Sequence, residues 1–172
     1  PEARSHHISV AAGSAVYVLG GGFEDDDDSV AATASVLKFD STQGTWSQGV
    51  PMPEPRYGFT ACVVRCAIYV FGGMVSEHEE QASTFKFEME TEEWSTLAPM
   101  PITMSEHDSC VLNDLVYIVG VRNYHFCGVY RFDPVSDAWS TLAQTLHPRF
   151  NSSLFVLEGS LYAAGGHFSE SR

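Results

Sequence analysis

Residues 87–101 read FEMETEEWSTLAPMP: an aromatic, six intervening residues, a tryptophan, then a Pro-Met-Pro break. The same frame stands at Phe39–Trp46, followed by Val-Pro-Met-Pro at 50–53, and the aromatic–tryptophan spacing returns at Phe132–Trp139. Working outward, each Trp is followed ten residues later by Arg56, Met104 or Arg149, and 23 residues later by Tyr69, Tyr117 or Tyr162. Arg4 stands thirteen residues before Tyr17, the distance that also separates Arg56 from Tyr69 and Arg149 from Tyr162. A frame held this constant is an internal structural repeat. Only one interval varies, from the glycine cluster to the next aromatic: Gly22 to Phe39, Gly73 to Phe87, Gly120 to Phe132. Constant spacing marks packed strands and variable spacing marks a surface loop, because loops tolerate insertion and paired strands do not.

Within the second repeat, four short strands are expected. These are Phe59–Val64, rich in small residues, the apolar Ala67–Phe71 ending at Gly72-Gly73, the alternating Thr84–Glu88, and Glu93–Leu97 around the Trp. The polar stretches 40–44 and 133–137 have hairpin-turn composition. The Pro-Met-Pro breaks end the fourth strand, since proline cannot donate to a ladder. Four antiparallel strands per unit of about 45–52 residues fit one blade of a β-propeller. The first strand of each unit carries small residues (Ala11-Ala12, Ala61-Cys62, Ser109-Cys110, Ser152-Ser153), suited to the crowded axis where blades converge. The aromatic–Trp pair is expected to fill the wider gap between neighbouring blades.

The Gly-Gly pair, the aromatic seven positions before Trp, and Pro-Met-Pro-x-x-Arg resemble the kelch repeat. The resemblance covers the whole chain. It implies an all-β fold, a kelch-type β-propeller of four-stranded antiparallel blades with about three and a half blades present. The repeats then run over 4–55, 56–103 and 104–148, with a partial one at 149–172. Both ends resemble internal cuts, so residues 1–172 are expected to be a segment of a longer propeller. Its partners would then include the remaining blades of the same ring, or, as the weaker alternative, a second copy. The third unit departs from the pattern: Val121 replaces the second glycine and Met104 the arginine. A position that ordinarily takes positive φ is thereby in doubt, and a distorted strand end is expected there.

Twenty-two acidic residues against nine basic give a formal net charge of −13. Such a surface repels phosphate backbones and anionic lipid, which argues against nucleic-acid and membrane partners. Cys62, Cys66, Cys110 and Cys127 show neither disulfide nor zinc spacing, and three of the four lie in apolar runs where small thiols are commonly buried. No leader pattern opens the chain, and a reducing, cytoplasmic compartment is expected.

The resemblance also implies function. Kelch propellers resemble adaptors that hold a protein or peptide on a loop face, and the Tyr–Trp spacing is most similar to the BTB–kelch family, which recruits substrates to cullin-based ubiquitin ligases. The alternatives are a kelch-type enzyme, either a copper oxidase or a sugar-acid isomerase, and a cytoskeletal scaffold. No catalytic residue, cofactor or metal site is assigned: Tyr124, His125 and Cys127 lie close in sequence without the oxidase constellation, and no nucleophile motif is present.

Candidate partner-binding residues fall in two loop sets. The first follows the fourth strand and contributes His6, Tyr57, Glu106 and Asn151. The second is the variable loop, contributing Glu24, Asp25, Asp26, Asp27 and Asp28 from one repeat and Arg122, Asn123, Tyr124, His125 and Phe126 from another. The acidic run reads either as a docking loop for a basic segment or as a solvated insertion. Residues 122–126 have the composition of interface anchors, or tuck their aromatics against the next blade. The recurrent Arg4, Arg56 and Arg149 are expected to bond turn carbonyls rather than a ligand. His6 and His7 are expected on opposite sides of a strand, and the seven histidines to be ordinary hydrogen-bonded or surface residues.

Overall fold

The computed structural model describes residues 3–24, 30–122, 126–144 and 150–167. In the first unit, β1 (Ile8–Ala12) and β2 (Ala15–Leu19) are followed by a small hairpin of β3 (Gly22–Glu24) and β4 (Val30–Ala32), then by β5 (Val36–Asp40) and β6 (Thr45–Gln48). The second repeats this order with β7 (Thr60–Val64), β8 (Ala67–Phe71), the hairpin β9 (Met74–Ser76) and β10 (Glu79–Glu80), β11 (Thr84–Glu88) and β12 (Glu93–Leu97). The third holds β13 (Asp108–Leu112), β14 (Leu115–Arg122), β15 (Phe126–Asp133) and β16 (Ala138–Gln144), and the last β17 (Phe150–Leu157) and β18 (Ser160–His167). The sheets order as β1-β2-β5-β6, β7-β8-β11-β12 and β13-β14-β15-β16, with β17-β18 a two-stranded sheet. All pairing is antiparallel. The units are propeller blades in meander order.

The first strand of each blade lies beside the next: β1 against β7, β7 against β13, β13 against β17. Small side chains let them converge. Thr60 and Ser109 hydroxyls meet at 2.8 Å between two of them, and Asp108 Oδ2 accepts the Leu154 amide at 2.7 Å between the next pair.

Apolar seams fill the wider gaps further out. One buries Leu19, Val36, Met52, Ile68, Val70 and Phe87 between the first two blades; the other buries Phe71, Met100, Met104, Ile118 and Phe132 between the second and third. Each such side chain contributes on the order of 1.5–3 kcal/mol by leaving water. The aromatic–Trp frame forms cross-strand pairs of near-identical geometry, with ring centroids 5.0 Å apart for Phe39–Trp46, and 4.9 Å for both Phe87–Trp94 and Phe132–Trp139. The indoles also tie blades together. Trp94 Nε1 donates to the Val50 carbonyl at 3.0 Å, and Trp139 Nε1 to the Ala98 carbonyl at 2.9 Å, each reaching the end of the preceding blade.

Two sequence expectations need correction. The interval read as a variable loop carries a short hairpin in each of the first two blades, β3–β4 and β9–β10. And the strand end at Val121 in the third blade is not distorted. β14 runs on through Gly120 and Val121 to Arg122, paired in register with β15 (Gly120↔Gly128, Val121↔Cys127, Arg122↔Phe126). In the first two blades the glycine pair turns the chain out of the sheet, with φ of 51° and 91° at Gly20 and Gly21 and 60° and 91° at Gly72 and Gly73. Losing the second glycine lengthens the hairpin instead of breaking it.

Candidate functional site

The loops between blades and the hairpins β3–β4 and β9–β10 lie on one face. Ser5 and Gly22 exchange backbone hydrogen bonds at 2.9 Å in both directions, and Tyr57 and Met74 do the same at 3.0 and 2.8 Å. The inter-blade loop is thus paired onto the hairpin of its own blade. Ser105 Oγ adds a bond to Glu80 Oε1 at 2.7 Å. In the first two blades the described parts of the two loop sets therefore form a single surface around the mouth between the inner strands.

At that mouth four structurally equivalent residues, each two after the arginine-type position, share the left-handed conformation: His6 (φ 52°), Gly58 (61°), Glu106 (51°) and Asn151 (52°). Only glycine adopts this region without cost, and asparagine with little. The conformation is held by bonds from blade to blade. The Gly58 amide donates to the His6 carbonyl at 3.2 Å, the Glu106 amide to the Gly58 carbonyl at 2.8 Å, and Asn151 Nδ2 to Glu106 Oε2 at 3.3 Å. His6 also packs edge-on against Tyr57, centroids 6.1 Å apart. His6, Tyr57, Glu106 and Asn151 are thus brought together. His6 sits in a bend before β1, which corrects the expectation of a strand with His6 and His7 on opposite sides.

A cavity of about 390 Å³ opens inside this rim, lined by His6, His7, Glu106, His107, Asp108, Asn151 and the inner-strand serines Ser152 and Ser153. Tyr57 is buried, and burial, with the negative field of Glu77 and Glu106, holds its phenol above its ordinary pKa. Of the remaining sequence candidates, Glu24 ends β3, Arg122 ends β14 and Phe126 begins β15. Asp25–Asp28 and Asn123–His125 lie outside the described residues.

Arg4 and Arg56 take the structural role; Arg149 lies outside the described residues. Arg4 donates to the Gly20 carbonyl at 3.1 Å and to Ser35 Oγ at 2.8 Å. Arg56 repeats this one blade on, to the Gly72 carbonyl at 2.7 Å and Ser83 Oγ at 3.0 Å, with Phe85 stacked 4.4 Å from its guanidinium. Arg56 is fully buried, and desolvation lowers its pKa to about 10, partly countered by Glu54; the side chain stays charged at neutral pH. Met104 takes the equivalent place in the third blade, packed over Gly120. There the β14–β15 ladder continues past that glycine, so a guanidinium has no outward-turned chain to clasp.

His107 carries a role that the sequence reading did not give it. It stands three residues after Met104, the offset that separates Phe59 from Arg56, and its ring covers Gly72 as the Phe59 ring covers Gly20. A histidine fills an aromatic slot. Its ring is buried, with the Phe71 and Ser105 carbonyls nearby but neither ring nitrogen making a well-formed hydrogen bond among the described residues. Desolvation pushes its pKa down to about 4 from 6.5. The folded state therefore favours the neutral ring. That stability is complete above pH 6.5 and drains away as pH falls towards 4, because the unfolded chain takes up a proton that the folded chain refuses. Wild type is expected to lose about 2 kcal/mol of unfolding free energy between pH 7.5 and 5 through this group. His107→Phe should remove that part of the slope in urea titrations at the two pH values. An equal slope in both proteins would locate the acid sensitivity elsewhere.

Among the described residues no three His, Cys, Asp or Glu gather around a common point for a metal ion. Cys62 and Cys110 are protected thiols, burial raising their pKa to about 12 and about 11, whereas Cys66 is exposed in the β7–β8 turn.

The KLHDC2/KLHL20/DRC7 Kelch-repeats domain model matches residues 1–166. The chain belongs to the kelch-repeat family. Kelch relatives include beta-scruin of Limulus polyphemus, 38% identical over 74 residues, which are 43% of this chain and 8% of that protein. Kelch-like protein terF of Aspergillus terreus is 33% identical over 76 residues, 44% of this chain and 17% of that one. The human Kelch repeat and BTB domain-containing protein 12 is 32% identical over 72 residues, covering 40% and 12% respectively. The chain thus aligns with less than a fifth of these relatives' lengths. The kelch blades account for every feature of the sequence frame, and the family supports a protein-interaction module.

Proposed function

We propose that this chain holds a partner protein or peptide against the channel-mouth face and serves as the substrate-recognition part of a cullin-based ubiquitin-ligase adaptor in the cytoplasm. The observation that carries the interaction reading is the convergence of His6, Tyr57, Glu106 and Asn151, from four successive inter-blade loops, on one concave mouth. A rigid ring of inner strands presenting variable loops is the arrangement in which scaffold and specificity are separated. The adaptor part is supported by similarity to a kelch relative whose name includes a BTB domain. Further blades, rather than a second copy, are the proposed cover for the half-exposed Trp46 and for the stacked Phe155 and Tyr162.

The test is affinity capture with the full-length protein, comparing wild type with Glu106→Gln, with Tyr124→Ala plus Phe126→Ala, and with Glu24–Asp28 neutralised. A partner lost in a loop-face variant of unchanged melting temperature, and recovered together with a cullin from wild type, supports the reading. A partner retained by all three but lost on Val135→Asp, in the turn between β15 and β16, overturns the placement. A partner captured without a cullin favours the scaffold alternative.

A further inference from the structure

The interaction reading leaves open what the mouth recognises, and its charge narrows the choice. The described arginines of the inter-blade loops do not face the ligand: Arg4 and Arg56 are turned onto the Gly20 and Gly72 carbonyls. Among the described residues, what remains at the rim is Glu106, Asn151 and the histidines His6 and His7. Glu106 is exposed, with one carboxylate oxygen bonded to Asn151 and the other accepting no hydrogen bond among the described residues. Asp108 lies deeper, its two oxygens taken by the Ser109 and Leu154 amides, so its charge is fixed in place. Glu77 and Glu80 stand on the neighbouring hairpin, and no described lysine or arginine side chain lines the cavity.

Three further features shape the space. Gly58 leaves a gap in the rim between His6 and Glu106, where an added Cβ would meet nothing closer than 3.8 Å. The His6 ring, backed edge-on by the buried Tyr57, stands at one wall. The buried His107 lies at the cavity's inner side, where burial disfavours its charged form. The volume suits one long side chain and is within the range of ligand clefts.

We propose that the channel mouth is a receptor for a single cationic side chain, lysine or arginine, of an extended peptide. Glu106 is its ion-pair partner, and the His6 ring packs along its methylene stem. Lysine and arginine lay their methylene stems along such rings while the charged head reaches a carboxylate oxygen. The net charge of −13 steers the same class of ligand from a distance. This rests on the interaction reading above and deepens it.

The probe is a random peptide library displayed on phage, selected against the complete protein in wild-type and Glu106→Gln forms. Enriched sequences are then synthesised for fluorescence-polarisation titration. Wild-type selections should share a lysine or arginine, and changing that residue to norleucine or citrulline should weaken binding by about tenfold. Glu106→Gln should weaken the same peptide by about tenfold, and Arg65→Ala on the opposite face should leave it unchanged. Asn151→Arg, which places a competing guanidinium beside Glu106, should abolish binding. Peptides blocked by Asn151→Arg but indifferent to Glu106→Gln, or lacking a basic residue, overturn the cation receptor and leave the interaction reading standing. Enrichment only of peptides indifferent to both variants, or of none by the folded protein, overturns both.

Discussion

Arg56→Ala is expected to lower the unfolding free energy by about 3–5 kcal/mol, the cost of breaking a buried, hydrogen-bonded charged group. The fully buried guanidinium holds the Gly72 carbonyl and the half-buried Ser83 hydroxyl and stacks on the buried Phe85. Alanine leaves that carbonyl unpaired and a cavity beneath the inter-blade loop. Its one carboxylate, Glu54, is half exposed and contributes little. Arg65 supplies the comparison within the same molecule. It pairs with Asp114 at 2.9 Å, but both side chains are more than half exposed, so Arg65→Ala should cost under about 1 kcal/mol. Urea midpoints of the two variants decide the matter. Equal losses would mean that Arg56 clasps nothing of consequence.

The second large effect separates two glycines of the same φ. Gly13 (59°) and Gly72 (60°) are both left-handed. An added Cβ at Gly13 meets nothing within 4 Å, whereas at Gly72 it would lie 2.6 Å from the Met104 carbonyl oxygen and 2.7 Å from Met100 Cε. Gly13→Ala should therefore cost only the backbone term, about 1 kcal/mol. Gly72→Ala adds displacement of another blade's backbone and should cost about 3–5 kcal/mol in all. Asn113, at φ 54° in the corresponding turn of the third blade, shows that a side chain is tolerated there. Melting temperatures that fall equally would show that conformation alone, not the close approach of blades, selects glycine at position 72.

The strands were legible because their spacing is rigid. Ala67–Phe71, Thr84–Glu88 and Glu93–Leu97 stand as read, and the first strand begins at Thr60 rather than Phe59. Alternation, turn residues and proline breaks all pointed the same way there. The hairpins β3–β4 and β9–β10 escaped notice because two or three residues per strand carry no periodicity. The run-on of β14 escaped for a different reason: a missing glycine announces that a turn is absent, but not whether the strand frays or continues. Pairing with β15 decides that, and it is a tertiary fact. At the site, sequence position alone grouped His6, Tyr57, Glu106 and Asn151. The left-handed backbone of His6 and Glu106 was hidden, because bonds between blades impose it there. Gly58 and Asn151 were the hints. His107 was hidden by the habit of weighing histidine as a polar residue, when its offset from Met104 marks the aromatic slot of Phe59.

The arginine clasp of the first two blades and the methionine clasp of the third answer differently to temperature. Removing a guanidinium from water costs less as water warms, because the hydration of ions is entropically unfavourable. Apolar contact such as that of Met104 over Gly120 weakens on cooling. The balance between the two kinds of clasp is therefore expected to tilt with temperature, towards the arginines on warming and away from the methionine on cooling.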